Sequence, residues 1–82
     1  MYIESITNID AGDTIAFLDD LQFEYEGVHE ITEDEALTID WVKVNNAQVT
    51  GSLVVLNVTH EQTNWTTIYR VADFVRVLVY ED

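Results

Sequence analysis

The stretch Thr32-Glu-Asp-Glu-Ala-Leu-Thr-Ile-Asp-Trp-Val-Lys-Val44 decides the fold class, because it can be read in two ways. Thr32 followed three residues on by Glu35 matches a capping box, with Glu33 and Asp34 where a helix N-terminus favours negative charge. Leu37, Trp41 and Val44 would then share one helical face. Against this, Leu37, Ile39 and Trp41 alternate with Thr38 and Asp40, and the segment is rich in β-branched and aromatic residues. The strand reading is adopted, which makes the chain mainly β. The alternative is an α+β protein with one helix at about 33–44.

Upstream, the β-branched content of Tyr2–Ile9 predicts a first strand. Asp10-Ala-Gly-Asp13 reads as a turn in which Gly12 is free to take a positive φ. Thr14–Leu21 fits a strand through Ile15 and Phe17, or a short helix capped by Asp13, and strand is preferred. Leu21-Gln-Phe-Glu-Tyr-Glu26 alternates cleanly: Leu21, Phe23 and Tyr25 on one face, Gln22, Glu24 and Glu26 on the other. Gly27 then predicts a bulge or bend.

Downstream, Asn45-Asn-Ala-Gln-Val-Thr-Gly51 reads as a polar turn. Ser52–Thr59 is apolar on both faces, as a central strand should be. Glu61–Asn64 is the next turn, Trp65–Val71 the returning strand, and Ala72–Phe74 a short turn before a final strand, Val75–Tyr80. A helix over Val71–Val79 is the weaker alternative, given its four valines. Trp41 and Trp65 are expected in the core.

Six or seven short strands of this kind describe a single domain, 1–82, built as a small antiparallel barrel or sandwich. Gly12-Asp-Thr-Ile-Ala-Phe17 resembles the opening strand of small SH3-like barrels of bacteria and phages. Ala72-Asp-Phe74 before Val75–Tyr80 resembles their 3₁₀ turn and closing strand. The resemblance implies a fold, with binding and not catalysis as its use.

An apolar fraction of 48% suffices for a core and argues against disorder, and the absence of cysteine excludes disulfides and thiolate metal sites. The N-terminus has neither the basic nor the apolar region of a signal peptide, and the longest apolar run is Leu53–Leu56. A soluble, cytoplasmic protein (host cytoplasm if viral) that avoids anionic membranes is expected.

Asn8-x-Asp10-x-Gly12-Asp13 echoes a calcium loop, but the glycine is one position early and the twelfth position is Asp19, so turn-forming Asx residues are the better reading. His29 and His60 lack the neighbours a transition-metal site needs. Small barrels have little room for the enclosed carboxylate pair that acid–base catalysis requires, and neither a nucleophile motif nor a phosphate loop is present. No enzyme activity, cofactor or metal is expected. Asn57-Val-Thr59 and Asn64-Trp-Thr66 are formal glycosylation sequons without a secretory context.

What remains is charge. Residues 1–42 hold twelve carboxylates and no Lys or Arg, a formal −12. Residues 43–82 hold four carboxylates against Lys43, Arg70 and Arg76, a formal −1. Net charge speaks to association and solubility, not to fold. Salt adaptation would spread carboxylates along the chain, although the single Lys fits that habit. Carboxylates on one strand face recur every ~6.6–6.8 Å, on the scale of successive backbone phosphates. Asp19, Asp20, Glu24, Tyr25, Glu26, Glu30, Glu33, Asp34, Glu35 and Asp40 are therefore the candidate partner-binding residues.

This pattern resembles the DNA-mimicking inhibitors that phages make against host nucleases, glycosylases and restriction or CRISPR effectors. A narrower likeness, Glu4-Ser-Ile6 to the edge strand of uracil-DNA glycosylase inhibitors, ends at Thr7. The expected function is an acidic, anti-defence protein occupying the groove of a basic nucleic-acid-binding protein, with no direct nucleic-acid binding of its own. The alternative is a structural or adaptor module, a virion or complex component, from a salt-adapted source. Glu24 and Glu26 would discourage casual strand pairing, giving a monomer, or a homodimer through the neutral second half.

Overall fold

A computed structural model describes residues 1–18 and 36–81. Among the described residues six antiparallel strands form one sheet: β1 (Tyr2–Ser5), β2 (Thr14–Phe17), β3 (Val42–Thr50), β4 (Leu53–His60), β5 (Thr66–Ala72) and β6 (Arg76–Val79). Their order is β1-β6-β2-β3-β4-β5, and these strands do not close into a barrel. The mainly β expectation holds, and the strands after Gly12-Asp13 and after Ala72-Asp-Phe74 pair with each other, Ile15 opposite Val79 and Phe17 opposite Val77.

The first predicted strand is shorter than expected. At Ile6–Asn8 the chain turns into a 3₁₀ helix, with Ser5 capping the Thr7 N–H through its hydroxyl. This turn drops Ile6 and Ile9 into the core, which an extended chain could not do from those parities. The Asp10–Asp13 turn forms as predicted: Gly12 has φ 99°, and its N–H donates to the Val44 carbonyl at 2.8 Å.

The polar turn expected at Asn45–Gly51 is instead the second half of β3, the longest strand, and the turn is only Gly51-Ser52. The cause is a bulge. Val44 pairs with Val58 and Asn46 with Asn57, leaving Asn45 as an extra residue. The inward parity passes from Val42 and Val44 to Ala47, breaking the alternation a strand is recognised by. Asn45 also uses its amide across the sheet, donating to Asn57 Oδ1 at 3.0 Å and Thr59 Oγ1 at 2.9 Å.

The deciding stretch divides. Residues 32–35 lie outside the described residues. Leu37, Ile39 and Trp41 do not form the expected strand: Ala36 is helical, Leu37-Thr38 is a turn, and β3 begins only at Val42. Ile39 N–H donates to the Ala36 carbonyl at 3.3 Å, and the Trp41 indole N–H to the same carbonyl at 3.1 Å, so the segment folds on itself. The predicted strand Leu21–Glu26 and the bend at Gly27 lie outside the described residues.

Two apolar layers result. The main core gathers Ile6, Ile15, Val44, Leu56, Val58 and Val77 with their neighbours on one side of the sheet. On the opposite side of β1–β6–β2, Leu78 and Ala16 are buried beneath Ile39, with Ile3 and Trp41 packed against them. The strands covered on both faces are thus β6, where Val77, Leu78 and Val79 are all buried, and its neighbour β2, where Ile15 faces the main core and Ala16 the opposite side. The sequence reading assigned that place to Ser52–Thr59. In β4 only Val54, Leu56 and Val58 are buried, and Leu53 on the other face is exposed. Each fully buried side chain of this size contributes about 1.5–3 kcal/mol.

Candidate functional site: an acidic end of the sheet

The short overlap of β2 and β3, paired only at Thr14–Lys43 and Ile15–Val42, decides which turns lie together. The start of β2 and β3 and the finish of β4 and β6 fall together, because Thr14 pairs with Lys43, Val42 with His60, and Ile15 with Val79. Backbone bonds tie the flanking residues: Glu61 N–H donates to the Trp41 carbonyl at 3.0 Å and Tyr80 N–H to the Thr14 carbonyl at 2.8 Å. The result is a broad groove of about 1060 Å³ whose lining includes Asp13, Glu61 and Glu81. Its apolar lining includes Leu37, Trp41 and Tyr80, and the two aromatic rings meet edge to face at 5.4 Å.

Asp40 is the one predicted partner-binding residue among the described residues. Its side chain is 53% exposed, with Oδ2 3.4 Å from His60 Nδ1. His60 Nε2 is 3.1 Å from the Tyr69 hydroxyl, and Trp65 stacks on the imidazole at 6.3 Å between centroids. Trp65 is 68% exposed, against the core placement expected for it, because its ring lies over the largely covered His60 imidazole and not among core residues. Trp41 is half-buried, pinned by its indole bond. Asp19, Asp20, Glu24, Tyr25, Glu26, Glu30, Glu33, Asp34 and Glu35 lie outside the described residues.

Glu61 and Glu81 were missed from the sequence because both belong to the nearly neutral half. Each follows a predicted strand, but β4 and β6 run in opposite directions, so the meeting of their ends depends on the two-residue overlap of β2 with β3, which no local signal in the sequence gives. The calcium-like residues are otherwise engaged. Asn8 donates to Glu4 Oε1 at 3.0 Å, and Asp13 Oδ2 accepts the Asp10 N–H at 2.9 Å. Among the described residues no group of three or more His, Asp or Glu side chains is arranged to hold a metal ion. Among them, too, no helix is long and apolar enough to cross a membrane. No family model matches the chain, and no curated protein or solved structure matches it.

Proposed function

We propose that this is an acidic, non-catalytic binding protein: a DNA mimic, of the kind phages direct at host defences, that occupies the basic nucleic-acid-binding groove of a nuclease or other DNA-processing protein. One observation carries the reading. Of the four described carboxylates of the −12 half, Asp13 lines the groove with Glu61 and Glu81 from the other half, and Asp40 lies beside His60, the residue before Glu61. The exposed carboxylates of Glu61 and Glu81, with half-buried Asp13, lie around Trp41 and Tyr80 and suit Lys and Arg, whose heads take the charge and whose stems take the apolar and aromatic contact.

The test is titration of basic DNA-processing proteins with this protein, with DNA as competitor, at about 0.05 and about 0.5 M salt. Binding should be competed by DNA and weaken with salt, and the Asp13→Asn/Glu61→Gln/Glu81→Gln variant should associate about 10-fold more slowly. A panel in which no basic partner binds at low salt would sink the reading. Glu4 and Asp73, exposed or half-exposed away from the groove, favour the second reading of a salt-adapted structural module. That reading requires thermal stability to keep rising in molar KCl, well past the range where simple screening is complete.

A further inference from the structure

The sheet has two edges, and they are built differently. At β1 the strand is short, and the outward N–H of Ser5 is taken by the Glu4 carboxylate at 2.8 Å. A carboxylate folded over its own edge blocks further pairing. β5, Thr66-Thr-Ile-Tyr-Arg-Val-Ala72, is longer, with no proline, lysine or carboxylate to guard it. Among the described residues no strand lies on its outer side.

The hydrogen-bond phase identifies which groups are offered there. The Trp65 carbonyl accepts from His60 N–H, and Asp73 N–H donates to the Ser52 carbonyl. Together with the Leu53-to-Ala72 register, this turns Thr67, Tyr69 and Val71 toward β4. Thr66, Ile68, Arg70 and Ala72 therefore direct both backbone groups outward.

We propose that β5 pairs antiparallel with β5 of a second copy, about a two-fold axis through Tyr69, continuing the sheet across the axis. In this register Thr66 meets Ala72 of the other copy and Ile68 meets its Arg70, so every outward N–H and carbonyl of the strand finds a partner. An axis through Ile68 or Arg70 would leave the far end of the strand unpaired. Charge selects the occupant. Gln62–Ala72 contains no carboxylate and one charge, Arg70, which this register sets opposite Ile68 and not opposite the other copy's Arg70. A second copy brings the same nearly neutral edge and keeps the acidic ends apart.

Ile68 is 52% exposed, so its replacement leaves the core intact. Sedimentation equilibrium of the wild-type protein should show a monomer–dimer equilibrium that strengthens from about 0.05 to about 0.5 M salt, as repulsion between the two bodies is screened. Ile68→Lys puts a cation opposite Arg70 of the other copy and should weaken association about 10-fold; adding Arg70→Glu to it should restore association. A wild-type protein that stays monomeric throughout, an Ile68→Lys variant that dimerises normally, or a double variant that does not recover would each overturn the pairing. No basic partner enters the experiment, so its outcome is separate from that of the acidic-end reading.

Discussion

Glu4 shows how a surface carboxylate is tied into the turn beside it. The Asn8 amide and the Ser5 N–H both donate to its Oε1, and together they hold its carboxyl below the ordinary glutamate value. A carboxyl whose pKa is lowered on folding stabilises the native state above its unfolded value, and that contribution fades as pH falls through the lowered one. Carboxyl titration by NMR should find Glu4 below the ordinary range, and Asn8→Ala, which removes the first of the two donors, should move it back up. Gly51 is a backbone case. Its φ is 60°, and a Cβ there would meet nothing within 4 Å, so the strain of a side chain is conformational alone. Gly51→Ala should cost about 1 kcal/mol in urea unfolding, and Gly51→Asn less. A Gly51→Ala protein as stable as wild type would mean the β3–β4 turn is not held in this conformation.

At the scale of elements, β3 is where local pattern and structure part. The turn at Glu61–Asn64, the strands on either side of it and the closing strand could be read because their punctuation is local: Asn64 takes the left-handed φ of 59° that Asn tolerates, and the flanking segments are rich in β-branched residues. Asn45 and Asn46 carry the same punctuation yet sit inside a strand, because a bulge also uses polar residues and also breaks parity. Only the partner strand separates the two cases. Ala36–Trp41 failed for the complementary reason: its alternation was regular, but Ile39 and Trp41 are drawn onto the far face of β6 by packing, which no local pattern encodes. Deletion of Asn45 should preserve the faces of β3 and leave a cooperative thermal transition at lower temperature. Deletion of Lys43 should abolish it, because Val42, now 2% exposed, would be turned out of the core. Circular dichroism melts of the two deletions distinguish them.

For the whole molecule, a charge divided by sequence is laid over a fold that mixes the two halves of the chain. Charge is segregated in sequence, −12 against −1, whereas the sheet interleaves early and late strands. The acidic end could be anticipated from composition only in part, because Glu61 and Glu81 arrive there by topology. The same interleaving explains why the later half could be neutral and still belong to the acidic surface. The stagger of β2 against β3, which overlap at two residue pairs, brings the charges that follow β4 and β6 together.

The seating of β6 between β1 and β2 has a kinetic consequence. Tyr2 pairs with Val79, nearly the full described length away in sequence, whereas β3, β4 and β5 are consecutive neighbours joined by tight turns. Loop-closure entropy favours short-range contacts early, so the β3–β4–β5 meander is the expected nucleus and β6 the late arrival that locks both of its neighbours. Val58→Ala, in the meander, should then mainly slow refolding in stopped-flow experiments, and Val77→Ala, in β6, should mainly speed unfolding. The reverse pattern would place the rate-limiting step at the meeting of the first and last strands. A chain leaving the ribosome in this order would hold β1 without its partner, and β2 paired on the β3 side alone, until Arg76–Val79 had been made.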